Sequence, residues 1–272
     1  MTRRVKIGIM IAGIVLIGMV GGRLLLFKWM SAPGYFAGEI ADFAVADRHH
    51  PPPERPIIFV GSSSIRLWNT LQSDMAPLPV LNRGFGGSQL SQVVYYVDQT
   101  VIHYRPRAVV LYAGDNDLDG RLRTGKTPED VAREFRTFVA RVETAVPDAR
   151  IYYLSMKPSR ERWVDWPQEH MGNILIAQIC ASDPRLAYID VATPMLATGT
   201  PPQSDLFMAD GMHPSPKGYA LWTRIIKSRL QADLALTSRA ASSPPPPPPW
   251  PDSHGRSDRR VWTPTRPGSP SP

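Results

Sequence analysis

The sequence holds a single cysteine, Cys180, so no intrachain disulfide can brace the fold. That cysteine sits in the apolar run Ile174–Ala181 and reads as a small core residue rather than a reactive thiol. No cysteine–histidine cluster has the spacing of zinc ligands. The His49-His50 pair stands alone beside prolines, as a solvated linker would. The G-x-G-x-x-G spacing of dinucleotide sites is absent, and so is a phosphate loop ending in Gly-Lys-Ser/Thr. No serine lies within Gly-x-Ser-x-Gly, which excludes the nucleophile elbow of the α/β-hydrolases. Nothing in the chain calls for a metal or an organic cofactor.

A basic folded domain is also missing, although the chain as a whole carries a formal charge of +7. Residues 1–30 contribute +5 through Arg3, Arg4, Lys6, Arg23 and Lys28. Residues 237–272 contribute +3, from five arginines against Asp252 and Asp258. The remainder, 31–236, is left at −1. A nucleic-acid binder needs its positive patch on the fold itself, so no nucleic-acid partner is expected.

The ends differ in composition from the middle. After the basic start, an uncharged apolar run extends from Ile7 to Gly22, is interrupted by Arg23, and resumes over Leu24–Met30. The run is slightly short of the ~20 residues of a bilayer span. Snorkelling of Arg23 extends it into Leu24–Phe27. Residues 1–30 are therefore expected to form an N-terminal transmembrane anchor, with a cleaved signal segment as the rival reading. Cytoplasmic retention of the basic N-terminus would place the rest of the chain outside. Residues 31–56, with Pro33, Pro51, Pro52, Pro53 and Pro56, read as a stalk containing a short helix around Phe36–Ala46. Residues 237–272, with the unbroken run Pro244–Pro249, read as an extended or disordered tail.

Between the ends, residues 57–236 alternate short apolar runs with longer amphipathic ones. Ile57–Gly61, Val80–Asn82, Ala108–Ala113, Arg150–Met156 and Leu186–Val191 read as strands. Helices are expected over Ser64–Leu71, Gln89–His103, Pro128–Val146, Pro167–Ala181 and Pro216–Leu234. Thr127 and Asp130 mark a helix start, with Pro128 in the first helical position. Regular alternation of this kind predicts an α/β domain: a five-stranded parallel sheet with helices on both faces. Functional groups in such a fold belong at the carboxyl ends of the strands.

Four segments stand at those ends. Gly61-Ser62-Ser63-Ser64 follows the first strand and opens a helix, where backbone N–H groups favour developing negative charge. Helix capping is the plain structural alternative. Asn82-Arg83-Gly84-Phe85-Gly86-Gly87-Ser88 follows the second strand; its glycines allow close approach to a ligand, or simply a tight turn. Gly114-Asp115-Asn116-Asp117 follows the third strand. Its asparagine can donate to an oxyanion or make an Asx turn. Asp210-Gly211-Met212-His213 precedes the last helix. There a carboxylate can fold back onto an imidazole and fix its tautomer, or the loop is merely polar surface.

Taken in this order, over residues 57–218, the four segments resemble the four blocks of the SGNH, or GDSL-like, hydrolases: a serine, a glycine, Gly-x-Asn-Asp and Asp-x-x-His. The resemblance is greatest to acyl esterases related to the platelet-activating-factor acetylhydrolase subunits, and the loop Lys157-Pro158-Ser159-Arg160 is in keeping with that group. It implies a flavodoxin-like three-layer α/β/α sandwich. It further implies Ser63 as nucleophile and Asp210 and His213 as its acid and base partners. The oxyanion hole would be formed by the Ser63 backbone N–H, Gly87 and Asn116. The aspartate that gives the family its name is replaced by Ser62, which leaves Ser62 and Ser64 as competing serines. The implied substrate is a small-molecule, lipid or glycan ester. Acyl transfer to envelope glycans and an inactive binding module are the alternatives. With the anchor, the resemblance implies single-pass attachment to a bacterial inner membrane, the domain being periplasmic, or secreted after cleavage. Trp163 and Trp166, in the loop Lys157–Gln168, either line a pocket or pack.

Overall fold

The structure is a computed structural model that describes residues 31–120 and 125–242 and six isolated positions between Met10 and Gly22, without the side chains of 235–242. The expected anchor over residues 1–30 thus lies outside the described residues apart from those six positions. Among the described residues no helix is long and apolar enough to cross a membrane. The chain divides into two units, Met1–Ala232 and Asp233–Pro272. In the second, the described residues are helical to Ser242. Six residues of the expected disordered tail, 237–242, are therefore helix, and 243–272 fall outside the description.

Five strands form one sheet: β1 (Ile57–Gly61), β2 (Val80–Gly84), β3 (Ala108–Tyr112), β4 (Arg150–Leu154) and β5 (Leu186–Ile189). Their order is β2-β1-β3-β4-β5 and every pairing is parallel. All five residues of β1 and of β3 are buried, as a sheet covered on both faces requires. The side-chain period of two assigns each face its own core. Ile58, Val60, Val109 and Leu111 point to one cluster with Phe85, Leu90, Phe135 and Ile176. Phe59 and Tyr112 point the other way, onto Trp68 (5.9 Å between ring centroids) and Trp222 (5.3 Å). This is the expected three-layer α/β/α arrangement.

The helices are α1 (Ala37–His49), α2 (Ser63–Arg66), α3 (Leu71–Met75), α4 (Leu90–Tyr95), α5 (Val97–Thr100), α6 (Pro128–Ala145), α7 (Trp166–Ala181), α8 (Ala192–Leu196) and α9 (Pro216–Ser242). Helix α6 starts where the sequence puts it, in a reciprocal capping box of Thr127 and Asp130. Two expected helices are broken. Ser64–Leu71 becomes α2 and the beginning of α3. Between them the chain turns at Trp68–Thr70, where Trp68 Nε1 and Thr70 Oγ1 both donate to Asp74 Oδ2 of α3 at 2.7 Å. Gln89–His103 becomes α4, α5 and a 3₁₀ turn, with Arg105 beyond it in the left-handed region (φ 44°).

The stalk expectation is corrected by packing. Phe36 and Ile40 are buried in the same cluster as the sheet residues. The Phe36 ring meets Phe85 edge-on at 5.2 Å. It also lies over Gly86, where a Cβ would stand only 1.8 Å from Phe36 Cε1. Asp47 pairs with Arg83 and accepts from the Tyr104 hydroxyl at 2.6 Å. Helix α1 has only one buried apolar residue of its own, Ile40, so its amphipathic pattern is faint and its docking was not readable from periodicity.

Candidate active site

Doubly wound sheets bind ligands outside the carboxyl edge where the strand order reverses. Here that point lies between β1 and β3. The chain leaves β1 for β2 on one side and returns to β3 on the other. The two strand ends are in tight contact, since a Cβ on Gly61 (φ 138°) would stand 1.8 Å from the Tyr112 carbonyl oxygen. The Ser62 N–H donates to that same oxygen at 2.9 Å.

Ser63 is the first residue of α2, so its backbone N–H belongs to a first turn whose amides lack intrahelical acceptors. Its Oγ lies 2.8 Å from His213 Nε2. His213 Nδ1 lies 2.6 Å from Asp210 Oδ2. The two neighbouring serines are separated from this chain of contacts. Ser62 and Ser64 are buried, and their hydroxyls have no hydrogen-bond partner, whereas Ser63 is half-buried.

The 207–215 loop is folded so that the acid reaches its imidazole. Asp210 Oδ1 accepts from the N–H groups of Met212 (2.8 Å) and His213 (3.0 Å), closing the loop back on itself. Met208 N–H donates to the His213 carbonyl at 2.7 Å. Burial pushes the Asp210 carboxyl up, but the bonds from the His213 ring and from the two amides outweigh it and hold the group down to about 2. An ionised carboxylate only accepts, so Nδ1 carries the ring proton of a neutral His213 and Nε2 is left to accept from Ser63. The arrangement can therefore draw a proton from a serine hydroxyl.

Gly87 and Asn116 come together at the same edge. A Cβ on the exposed Gly87 would lie 3.8 Å from Asn116 Nδ2. That nitrogen donates to the Ser88 carbonyl at 3.1 Å. The third strand-end segment is locked to the second by Asp117, whose carboxylate accepts from the Leu90 N–H (2.9 Å) and from Lys126 Nζ (2.6 Å). Complete burial pushes Asp117 up to about 7 against the pull of Lys126.

The sequence did not give roles to a buried polar cluster behind Asn116. Lys157 Nζ donates to the Tyr112 hydroxyl (2.8 Å) and to Asp115 Oδ2 (2.9 Å). Burial pushes the Asp115 carboxyl up, but Lys157 and Arg162 outweigh it and hold Asp115 at about 2. Arg162 Nε lies 2.9 Å from Asp119 Oδ2. Glu169 is fully buried beside them. The only sequence signal was that Asp115, Asp119, Lys157 and Arg162 follow β3 or β4 closely. Trp163 and Trp166 stack on each other, 6.4 Å between centroids and 10° between planes.

The chain is similar to known proteins in sequence and in fold. The model of the GDSL-like lipase/acylhydrolase family matches residues 60–221, which contain Ser63, Gly87, Asn116, Asp210 and His213. The chicken platelet-activating factor acetylhydrolase IB subunit alpha2 is 25% identical over 202 residues, covering 71% of this chain and 79% of that protein. A GDSL-like lipase from Bacteroides thetaiotaomicron superposes with a TM-score of 0.61 at 18% identity, covering 71% of this chain and 98% of that one. An acetylxylan esterase from Geobacillus stearothermophilus, a catalytic mutant, superposes with a TM-score of 0.53 at 15% identity, covering 64% and 93%. The chain belongs to the GDSL-like lipase/acylhydrolase family and is an ester-hydrolysing enzyme.

Proposed function

We propose that the enzyme hydrolyses carboxylic esters, of acetyl or longer acyl groups, by two-step acyl transfer through Ser63, His213 and Asp210. The single observation that carries the reading is the unbroken line from Ser63 Oγ through the His213 ring to Asp210, with contacts of 2.8 and 2.6 Å. His213 Nε2 takes the hydroxyl proton as Ser63 Oγ attacks the ester carbonyl. Asp210 stabilises the imidazolium that forms, without taking its proton. The Ser63 and Gly87 N–H groups and Asn116 Nδ2 receive the oxyanion, and each such donor is worth about 3–4 kcal/mol in the transition state. His213 then protonates the leaving alcohol. Water, activated by the same imidazole, releases the acyl group and regenerates Ser63.

Nitrophenyl esters of increasing acyl length test this reading on the purified protein. Hydrolysis is expected, with kcat in Ser63→Ala lower by about 10⁴-fold or more. Unchanged turnover in that variant removes Ser63 from the mechanism. Transfer exceeding hydrolysis when a glycan acceptor is added reassigns the enzyme as an acyltransferase using the same serine.

A further inference from the structure

Asn116 has two chemically opposite ends, and only its nitrogen end can serve an oxyanion. Arg162 decides which end faces the site. Its Nη2 donates to Asn116 Oδ1 at 2.9 Å. A guanidinium has five N–H donors and no acceptor. The flipped amide would set two donors against each other in a buried contact. The oxygen is therefore held inward and Nδ2 outward, against the Ser88 carbonyl and beside Gly87.

Arg162 is itself fixed. It is buried, as are Asn116, Asp115 and Asp119. Its Nε lies 2.9 Å from Asp119 Oδ2, and its Nη1 lies 3.9 Å from Asp115 Oδ2. Its backbone N–H donates to Ser159 Oγ at 3.3 Å. Asp115 is tied in turn to Lys157 and Tyr112. The loop after β4 thus reaches under the end of β3 and grips the asparagine from behind. With Nε and Nη1 facing these carboxylates as ion pairs, Nη2 is the nitrogen that reaches Asn116.

We infer that Arg162 is a positioning residue for ester hydrolysis, holding the Asn116 side chain in the one orientation that presents N–H to the oxyanion. The inference rests on the proposed donor role of Asn116. Arg162 acts through the asparagine, so its effect belongs to the transition state rather than to substrate binding.

A double-mutant cycle on the full chain tests this. Asn116→Ala is expected to lower kcat by about 10²–10³-fold. Arg162→Met is expected to lower kcat by ~10²-fold, the size of effect that a misplaced catalytic group produces, with KM within about twofold of the wild type. In the Asn116→Ala background the same Arg162→Met change is expected to alter kcat by less than about threefold. Arg162→Lys keeps a charge for Asp119 without the fork, and it replaces Arg162→Met in the cycle where a thermal melt shows that the methionine variant does not fold. Losses that multiply in full in the double variant overturn the inference, as does a loss that appears in KM alone. An Asn116→Ala enzyme with wild-type kcat overturns the donor role instead, and so separates the two claims.

Discussion

The backbone N–H of Gly86 donates to Glu39 Oε2 at 2.8 Å, so the segment preceding the domain holds the loop that carries Gly87. Phe36 covers the same turn, where Gly86 has a φ of 39° and no room for a side chain. Helix α1 is thus a working part of the fold. Phe36→Ala is expected to destabilise the protein by about 3–5 kcal/mol, the range for a buried phenylalanine truncated in a core. Urea unfolding of the two proteins measures the difference. A cost below about 0.5 kcal/mol, the range of ordinary surface substitutions, would return residues 31–56 to the role of a free stalk.

What the sequence disclosed and what it hid follow from the range of the interactions. The run Ile57–Gly61 is apolar throughout because both faces of β1 are covered, and such a run is visible locally. The strand-end segments were visible as well, since Ser63, Gly87, Asn116 and the Asp210–His213 pair each follow or precede an element that could be placed. The docking of α1 rests on Phe36, Ile40 and the pairing of Asp47 with Arg83, partners far apart in the chain and without period. The break after Arg66 comes with Trp68 and Thr70 sharing Asp74, a contact that no propensity encodes. The cluster of Asp115, Lys157, Arg162 and Glu169 looked like ordinary loop and helix charge. Its burial is a property of the assembled sheet.

Asp210→Asn keeps the size of the side chain and removes its negative charge. The amide can offer N–H to His213 Nδ1 and favour the wrong ring tautomer, with the proton on Nε2. A fall in kcat of about 10³–10⁴-fold is expected, with the fold intact by circular dichroism. A fall below tenfold would show that the Asp210 carboxylate does not orient the imidazole.

Acid should silence the enzyme in a single-proton step. The folded-state value of Asp210 is lowered to about 2, so its contribution is present above the ordinary carboxylate range and lost only as pH falls through about 2. Down to that point the Asp210 carboxylate remains an acceptor for His213 Nδ1 and adds no acid step of its own. A plot of log kcat/KM against pH is expected to fall with unit slope on its acid side. A flat profile, or a slope of two above pH 3, contradicts the assignment.

Glu169 gives the opposite sign. Burial, then the neighbouring Asp115 carboxylate, pushes it well above the ordinary glutamate value of 4.5. In its neutral form it leaves Lys157 and Arg162 balanced against Asp115 and Asp119. Because the folded-state value is the raised one, Glu169 stabilises fully below its unfolded value and progressively less as pH rises toward the folded one. Glu169→Gln fixes the neutral form. Its melting temperature is expected to exceed the wild type's at pH 8, with the gap closing as pH is lowered to 4. A variant less stable than the wild type at pH 8 would show that Glu169 is needed as a carboxylate.

The most direct test of the central claim is to find where a fluorophosphonate probe attaches. Among Ser62, Ser63 and Ser64 only the middle hydroxyl is in contact with an imidazole and half-open to solvent. Peptide mass mapping is expected to place one adduct on Ser63, absent from His213→Ala. An adduct on Ser62 or Ser64, or labelling of Ser63 that persists undiminished in His213→Ala, would contradict the account.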